Sequence, residues 1–253
     1  MDWSVDDYAE NASFVSQFGD DVLMLLNPVS GEHILDLGCG NGELAEKIAA
    51  KGCKVTAIDS SKEMVNAAQT KGLNAYVMSG EDMNFETEFH AIFSNAALHW
   101  MKSSDKVLEN VFNALKINGR FCAEMGGSGN VQTIITQIYT ELDRRGLNGD
   151  DYNPWYFPSK EDYAYQLEKT GFQIDFIEQF ERPTKLATDV AGWIKTFAKP
   201  FLNDIPASQC EDFIQDINQA VADTLQDKNG IWYADYVRLR FNVIKNEKPI
   251  PNA

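Results

Sequence analysis

The 253-residue sequence predicts an α/β protein built on a mostly parallel, doubly wound sheet. Three observations carry that expectation. Short apolar runs alternate with amphipathic segments of helical period. The first strong run, "HILDLG", leads straight into a glycine-rich turn, "GCGNG", and then a helix. The second, "KVTAID", closes on an acidic residue, Asp59. Strands buried on both faces of a parallel sheet read as near-continuous apolar runs, as these do.

The elements follow in order. Residues 7–26 place Phe14, Val15, Phe18, Val22, Leu23, Leu25 and Leu26 at helical spacing, and Pro28 and Gly31 stop that helix. "HILDLG" is the first strand and a helix over roughly 42–50 follows it. "KVTAID" is the second strand; "SSKEMVNAAQTKG" is a helix with a serine cap and a glycine stop. "NAYVMS" and "HAIFSN" make the third and fourth strands. A helix of about 103–117 leads into the fifth, "GRFCAEM". Beyond Gly126 the rhythm changes: helix over 129–145, an aromatic loop "DDYNPWYFPS", helix over 160–169, and a sixth strand, "FQIDFIEQFER". Two helical segments fill about 187–227, broken at Pro200 and Pro206. "IWYADYVRLRFNVIKN" closes the sheet, with helix considered at its start. Right-handed crossovers would set the loops carrying Gly38–Gly42, Asp59, Glu81–Asp82 and Asn95–Trp100 along one sheet edge.

Composition narrows the function. A net charge of −16 argues against a nucleic-acid backbone partner. No apolar stretch approaches the ~20 residues of a membrane helix. The acidic start, MDWSVDDYAE, is unlike a signal or transit peptide, so a cytoplasmic location is expected. Cys39, Cys53, Cys122 and Cys210 form no CxxC pair, and His33, His90 and His99 show no ligand spacing, so no metal is expected.

The glycine turn then decides the cofactor. A dinucleotide fingerprint, G-x-G-x-x-G, begins at Gly38 and Gly40, but its third position is Glu43. No GxxxxGK[ST] loop is present either. Asp36, just ahead of the turn, would repel a pyrophosphate and suits an amine or cation. Asp59, ending the next strand, is where a carboxylate can accept both ribose hydroxyls. A ligand with an amino acid end and a nucleoside, but no phosphate, meets these conditions: S-adenosylmethionine.

"ILDLGCGNG", "VTAIDSSKEM", "SGED" and "FSNAALHW", falling in order after successive strands, resemble the class I S-adenosylmethionine-dependent methyltransferases. The nearest branch is that of the trans-aconitate and other small-acid methyltransferases. The resemblance covers residues 30 to about 125, and the tail segments "GWIKTFAKPFLNDIP", "EDFIQDINQAVADTL" and "YVRLRFNVI" extend it in layout. It implies a Rossmann-like seven-stranded sheet with an antiparallel last strand and a helical substrate-covering layer. It also implies a lid at 1–30, a cofactor-binding core at 31–126, a helical excursion at 127–170, and late core strands at 171–253 with inserted helices. Gly38, Cys39 and Gly40 would hold the methionine portion near Asp36; Asp59 would take the ribose, and Ser60 and Met64 the adenine. Asp82, after Glu81, would accept from the adenine amino group, while Asn95 and Ala96 flank the methionine end. The product would be S-adenosylhomocysteine.

The acceptor is less constrained. A carboxylate needs no general base, whereas a phenol, an ammonium or a carbon acid does. His99 is the one candidate base near the reactive end. Tyr8 and Phe14 are expected as a lid, and Trp100, Trp155, Trp193, Phe197 and Tyr236 as acceptor walls. Lys195, Lys199, Arg238 and Arg240 are cations on the late elements, but "TFAKP" stands where the related enzymes tend to show glycine and arginine. Lysine cannot clamp a carboxylate bidentately, which favours a monocarboxylic or less charged acceptor over a tri-acid. O-methylation of a small acid by a monomer or homodimer is the expectation. N- or C-methylation with His99 as base, a macromolecular acceptor, an NAD-dependent enzyme and a non-catalytic cofactor-binding regulator stay open as alternatives.

Overall fold

The structure, a computed structural model, describes residues 13–246, with side chains described from Phe18 onward. Tyr8 and the side chain of Phe14 therefore lie outside the described residues. The element order is α1 (Ser13–Leu26), β1 (His33–Leu37), α2 (Glu43–Ala50), β2 (Lys54–Asp59), α3 (Lys62–Thr70), β3 (Asn74–Val77) and β4 (Phe89–Asn95). There follow α4 (Ser104–Ala114), β5 (Leu115–Gly126), α5 (Gln132–Asp143), α6 (Lys160–Thr170), β6 (Phe172–Lys185), α7 (Val190–Phe197), α8 (Cys210–Leu225) and β7 (Tyr233–Lys245).

The strands form one seven-stranded sheet in the order β3-β2-β1-β4-β5-β7-β6. The first five in that order pair in parallel. β7 inserts antiparallel between β5 and β6, as the sequence led one to expect of the last strand. Helix considered ahead of this strand is absent; an antiparallel bridge, Gln226 to Trp232, leads into it instead.

Period-two alternation explains how the sheet is covered. Ile34 and Phe93 join Val22, Leu26 and Ile48 under α1 and α2. Leu35, Leu37, Ile92 and Phe121 face the other way, onto Val111 of α4 and Leu167 of α6. Asp36 shares its face with Ile34, so its carboxylate enters an apolar layer. A further core gathers Ile134, Ile138, Trp193, Ile194, Phe213 and Ile217 from α5, α7 and α8, a helical layer beside β7.

Polar clamps fix the ends of elements. Arg120 of β5 donates to the Leu26 carbonyl at the α1 terminus and grips both oxygens of Glu32 at 2.7 Å. Lys245 is buried, and its ammonium donates to the carbonyls of Phe112 and Leu115 at 2.7 Å each. It thereby satisfies carbonyls at the α4 C-terminus that the helix cannot bond itself. Among the described residues no helix is long and apolar enough to cross a membrane, and no group of three or more His, Cys, Asp or Glu side chains is arranged to hold a metal.

Candidate functional site

The three glycines after β1 serve different needs. Gly38 (φ +75°) passes so close to the next loop that a Cβ would sit 2.2 Å from that of Ala97. Gly40 (φ +54°) meets nothing within 4 Å of where a Cβ would be, so its face is open to a ligand. Gly42 packs α2 against Leu73 and Ala68, the close helix contact that Glu43 could not make. The turn is tied to β2: the amides of Gly38 and Cys39 donate to the Ile58 carbonyl at 2.8 and 3.0 Å.

Two carboxylates flank this turn. Asp59 accepts from the Gly40 amide at 2.9 Å and from the Ser61 amide at 2.8 Å, and burial raises its pKa. Its remaining lone pairs are available to a ligand's hydroxyls. Asp36 is 2% exposed, and its Oδ2 has no hydrogen-bond partner. Burial, with help from the Asp59 charge, raises its pKa to about 7. An orphaned buried carboxyl is costly to the fold and suits a cationic ligand nearby.

β4 delivers the next residues. The Ser94 hydroxyl donates to the Leu37 carbonyl at 2.8 Å, locking the ends of β1 and β4 together. Ala96 then adopts φ +55°, left-handed for a residue with a Cβ, and its amide donates to the Glu124 carbonyl. A single turn, Leu98–Trp100, follows. The His99 ring is buried, and its Nδ1 accepts from the Gly126 amide at 3.3 Å. Its other nitrogen, Nε2, therefore carries the proton in the neutral ring. Burial, with the nearby Arg238 charge, lowers its pKa to about 3.

A cavity of about 780 Å³, counting space open to solvent, brings these groups together. Gly38, Gly40, Asp59, Met64, Asn95 and Ala96 line one end. His99, Trp100, Trp155, Trp193, Phe197 and Tyr236 line the other. A contiguous cleft of about 500 Å³ shares Gly38, Asp59 and Trp100 and adds Ser60 and Glu81. The Glu81 carboxylate accepts from the Ser103 amide at 2.8 Å.

Three expected cofactor residues and two expected cations stand apart from these linings. Cys39 turns its thiol onto the Gly40 carbonyl, and Asp36 lies behind the turn. Asp82 has a 76% exposed side chain 3.5 Å from Lys106. Lys195 faces outward to Glu211 at 2.8 Å, and Lys199 is exposed.

Asn130 and Val131 were not singled out from the sequence, whereas Trp155, Phe157 and Arg238 were. Asn130 and Val131, ahead of α5, line the wall. Val131 holds φ +48°, a strained value for a β-branched residue, and its amide donates to the Asp235 carbonyl of β7. Asn130 Oδ1 accepts from the Val237 amide at 3.0 Å. In the aromatic loop Trp155 and Phe157 enter the cavity, while Tyr156 turns away and its hydroxyl accepts from Gln166 at 2.7 Å. That W-Y-F alternation was the available signal. Arg238, buried on β7, supplies a cation to the wall.

Fold and cleft together define a doubly wound α/β protein with a cleft at the ends of β1, β2 and β4, and comparison with known proteins gives its family. A family model described as a methyltransferase domain matches residues 35–123. An uncharacterized methyltransferase of Schizosaccharomyces pombe is 39% identical over 252 residues, covering 94% of this chain and 96% of that protein. A trans-aconitate 2-methyltransferase of Rhizobium meliloti is 24% identical over 218 residues, covering 83% and 85%. The YcgJ protein structure from Bacillus subtilis shares the fold, with a TM-score of 0.63 at 18% identity over 91% of this chain and all of that one. The chain belongs to the class I S-adenosylmethionine-dependent methyltransferases. It is a methyltransferase, with S-adenosylmethionine as methyl donor and S-adenosylhomocysteine as product. That excludes the regulator and NAD-enzyme alternatives. The open Gly40 face and the orphaned Asp36 carboxyl fit such a cofactor.

Proposed function

We propose that the enzyme methylates a carboxylate oxygen of a small acid, and that its catalysis is mainly positioning. The observation that carries this reading is the state of His99. Its Nδ1 lone pair is engaged by the Gly126 amide, so its cavity-side nitrogen is a donor rather than a proton acceptor. Arg238 beside it further disfavours the protonated ring. A phenol, an ammonium or a carbon acid would find no base here, whereas a carboxylate is already a nucleophile. His99 instead donates from Nε2 to an acceptor oxygen, fixing its direction of attack.

The cofactor supplies an electrophilic sulfonium methyl and a neutral thioether leaving group. In this reading the Gly38–Gly40 turn holds its methionine portion, with the Asp36 carboxylate compensating the ammonium from behind, directly or through a bridging water. Asp59 takes the ribose hydroxyls; Ser60, Met64 and Glu81 border the adenine, with Asp82 an outer acceptor for its amino group. Asn95 and Ala96 flank the methionine end. Segments 127–170 and 187–227 form the layer that excludes water from the acceptor. Transfer to a carboxylate would cancel its charge against that of the sulfonium as the S–CH3 bond breaks, and the dry aromatic wall of this chain would favour such a charge-annihilating reaction.

The test is transfer of labelled methyl to panels of small acids, phenols and amines at saturating cofactor. A methyl ester, released as methanol by mild alkali, is the expected product. Label appearing only as an alkali-stable ether or amine would overturn the reading.

A further inference from the structure

We propose that the acceptor is a monocarboxylic acid with a planar or extended apolar body, its carboxylate held by Arg238, and that Glu124 is the positioning residue behind that anchor. The proposal rests on the carboxylate reading above and names its substrate class.

The charges around the cavity lead to this assignment. Among the described residues lining it, Arg238 is the cation and Asp59 the acid, and Asp59 sits at the cofactor end with each oxygen accepting a backbone amide. Behind Arg238 lies Glu124, 3% exposed. Arg182 Nη1 and Nη2 both donate to it, and so does Arg240 Nε at 2.8 Å. Arg238 Nε is 4.0 Å from the same carboxylate, and the guanidinium lies 4.4 Å from the Tyr236 ring centroid. Three guanidiniums thus converge on one buried carboxylate. Asp21, whose side chain is 51% exposed, offsets part of that charge at the Arg240 end. Of the three, Arg238 is the member that lines the cavity.

One cation matches one carboxylate. A second or third carboxylate in this cavity would be buried without a partner, at a cost that binding cannot recover. The remaining wall is aromatic. Trp155 and Phe157 stack with centroids 5.7 Å apart, Trp193 is 5.9 Å from Trp155, and Phe197 adjoins Trp193 at 5.5 Å. The Trp193 indole N–H donates to the Tyr236 hydroxyl at 2.7 Å, so these two polar groups satisfy each other within the aromatic wall. Transfer also dissolves the ion pair: the ester is neutral, so Arg238 retains the acid and releases the product.

The experiment uses the full chain with benzoate, cinnamate, octanoate, malonate and trans-aconitate as methyl acceptors. Methyl ester formation is measured for the wild type and for Arg238→Met, Arg238→Lys and Glu124→Gln. Binding of S-adenosylhomocysteine by calorimetry reports whether each variant keeps its cofactor site. The expected result is kcat/KM at least tenfold higher for cinnamate or octanoate than for trans-aconitate. Arg238→Met should raise KM for the acid by about 10-fold to 100-fold with unchanged cofactor affinity, the size of a lost charge-assisted contact. Arg238→Lys should recover part of it. Glu124→Gln should raise KM with kcat held, which general destabilisation would not do. Preference for malonate or trans-aconitate, or an unchanged KM in Arg238→Met, would overturn the proposal while leaving carboxylate methylation intact. Methylation confined to non-acids would instead overturn the reading beneath it.

Discussion

Replacing Asp36 by asparagine should stabilise the cofactor-free enzyme above neutral pH while weakening its hold on the cofactor. The pKa of Asp36 rises from 3.8 to about 7 on folding, because the carboxyl is buried near Asp59. A folded acid with a raised pKa holds a proton that the unfolded chain has released. Stability contributed by that proton is present below pH 3.8 and is lost as pH rises toward 7. The rise corresponds to about 4 kcal/mol in all, of which about 3 kcal/mol is lost between pH 5 and pH 8. The asparagine side chain cannot ionise, so the difference between Asp36→Asn and wild type should shift by that amount between the two pH values. The comparison cancels the fixed cost of burying the amide. For a chain this size the shift amounts to about 6–12 °C in relative Tm. Differential scanning calorimetry of both proteins at pH 5 and pH 8, without cofactor, measures it. Calorimetric titration with S-adenosylhomocysteine should show affinity reduced about tenfold or more in Asp36→Asn, as expected for loss of a charged partner to the ammonium. An equal Tm difference at both pH values would refute the burial argument, and unchanged affinity would refute the cofactor role.

The same linkage predicts that wild-type affinity for S-adenosylhomocysteine falls as pH drops below about 7, because the bound ammonium favours ionised Asp36; a titration series from pH 5.5 to 8.5 tests it. At saturating cofactor and acid, kcat should show no limb near the ordinary histidine value of 6.5, since the His99 pKa lies at about 3. A limb there that disappears in His99→Gln would mark His99 as a base. Gly38→Ala combines a positive φ with a Cβ 2.2 Å from that of Ala97, so it should abolish cofactor binding and cost more than about 1 kcal/mol of stability, measurable by denaturant titration. Lys245→Met should leave the Phe112 and Leu115 carbonyls without their buried donor and lower stability by about 1–3 kcal/mol, with KM unchanged.

The sequence by itself determined the parts whose physics is local. Apolar runs and helical periods set the strands and their covering helices. The Gly38–Gly42 turn and Asp59 lie within about one β-α-β unit, so their convergence follows from chain connectivity. The alternation of Arg238 and Arg240 on the last strand was also visible. Which of them lines the cavity was decided by position along the paired strands. β7 pairs Arg238 with Gly126 on one side and Phe180 on the other, placing that guanidinium at the cavity and sending Arg240 to Glu124 and Asp21. Partners 58 and 116 residues from Glu124 in the chain leave no mark in a local pattern. Nor does the proton on His99, which depends on a Gly126 amide delivered by a different strand. Lys195 shows the converse: near Phe197 in sequence, it points away from the cavity because α7 buries its aromatic face and leaves this lysine to solvent. Cofactor chemistry was written in contiguous residues; acceptor chemistry was set by how the last strand and the helical layer close over them.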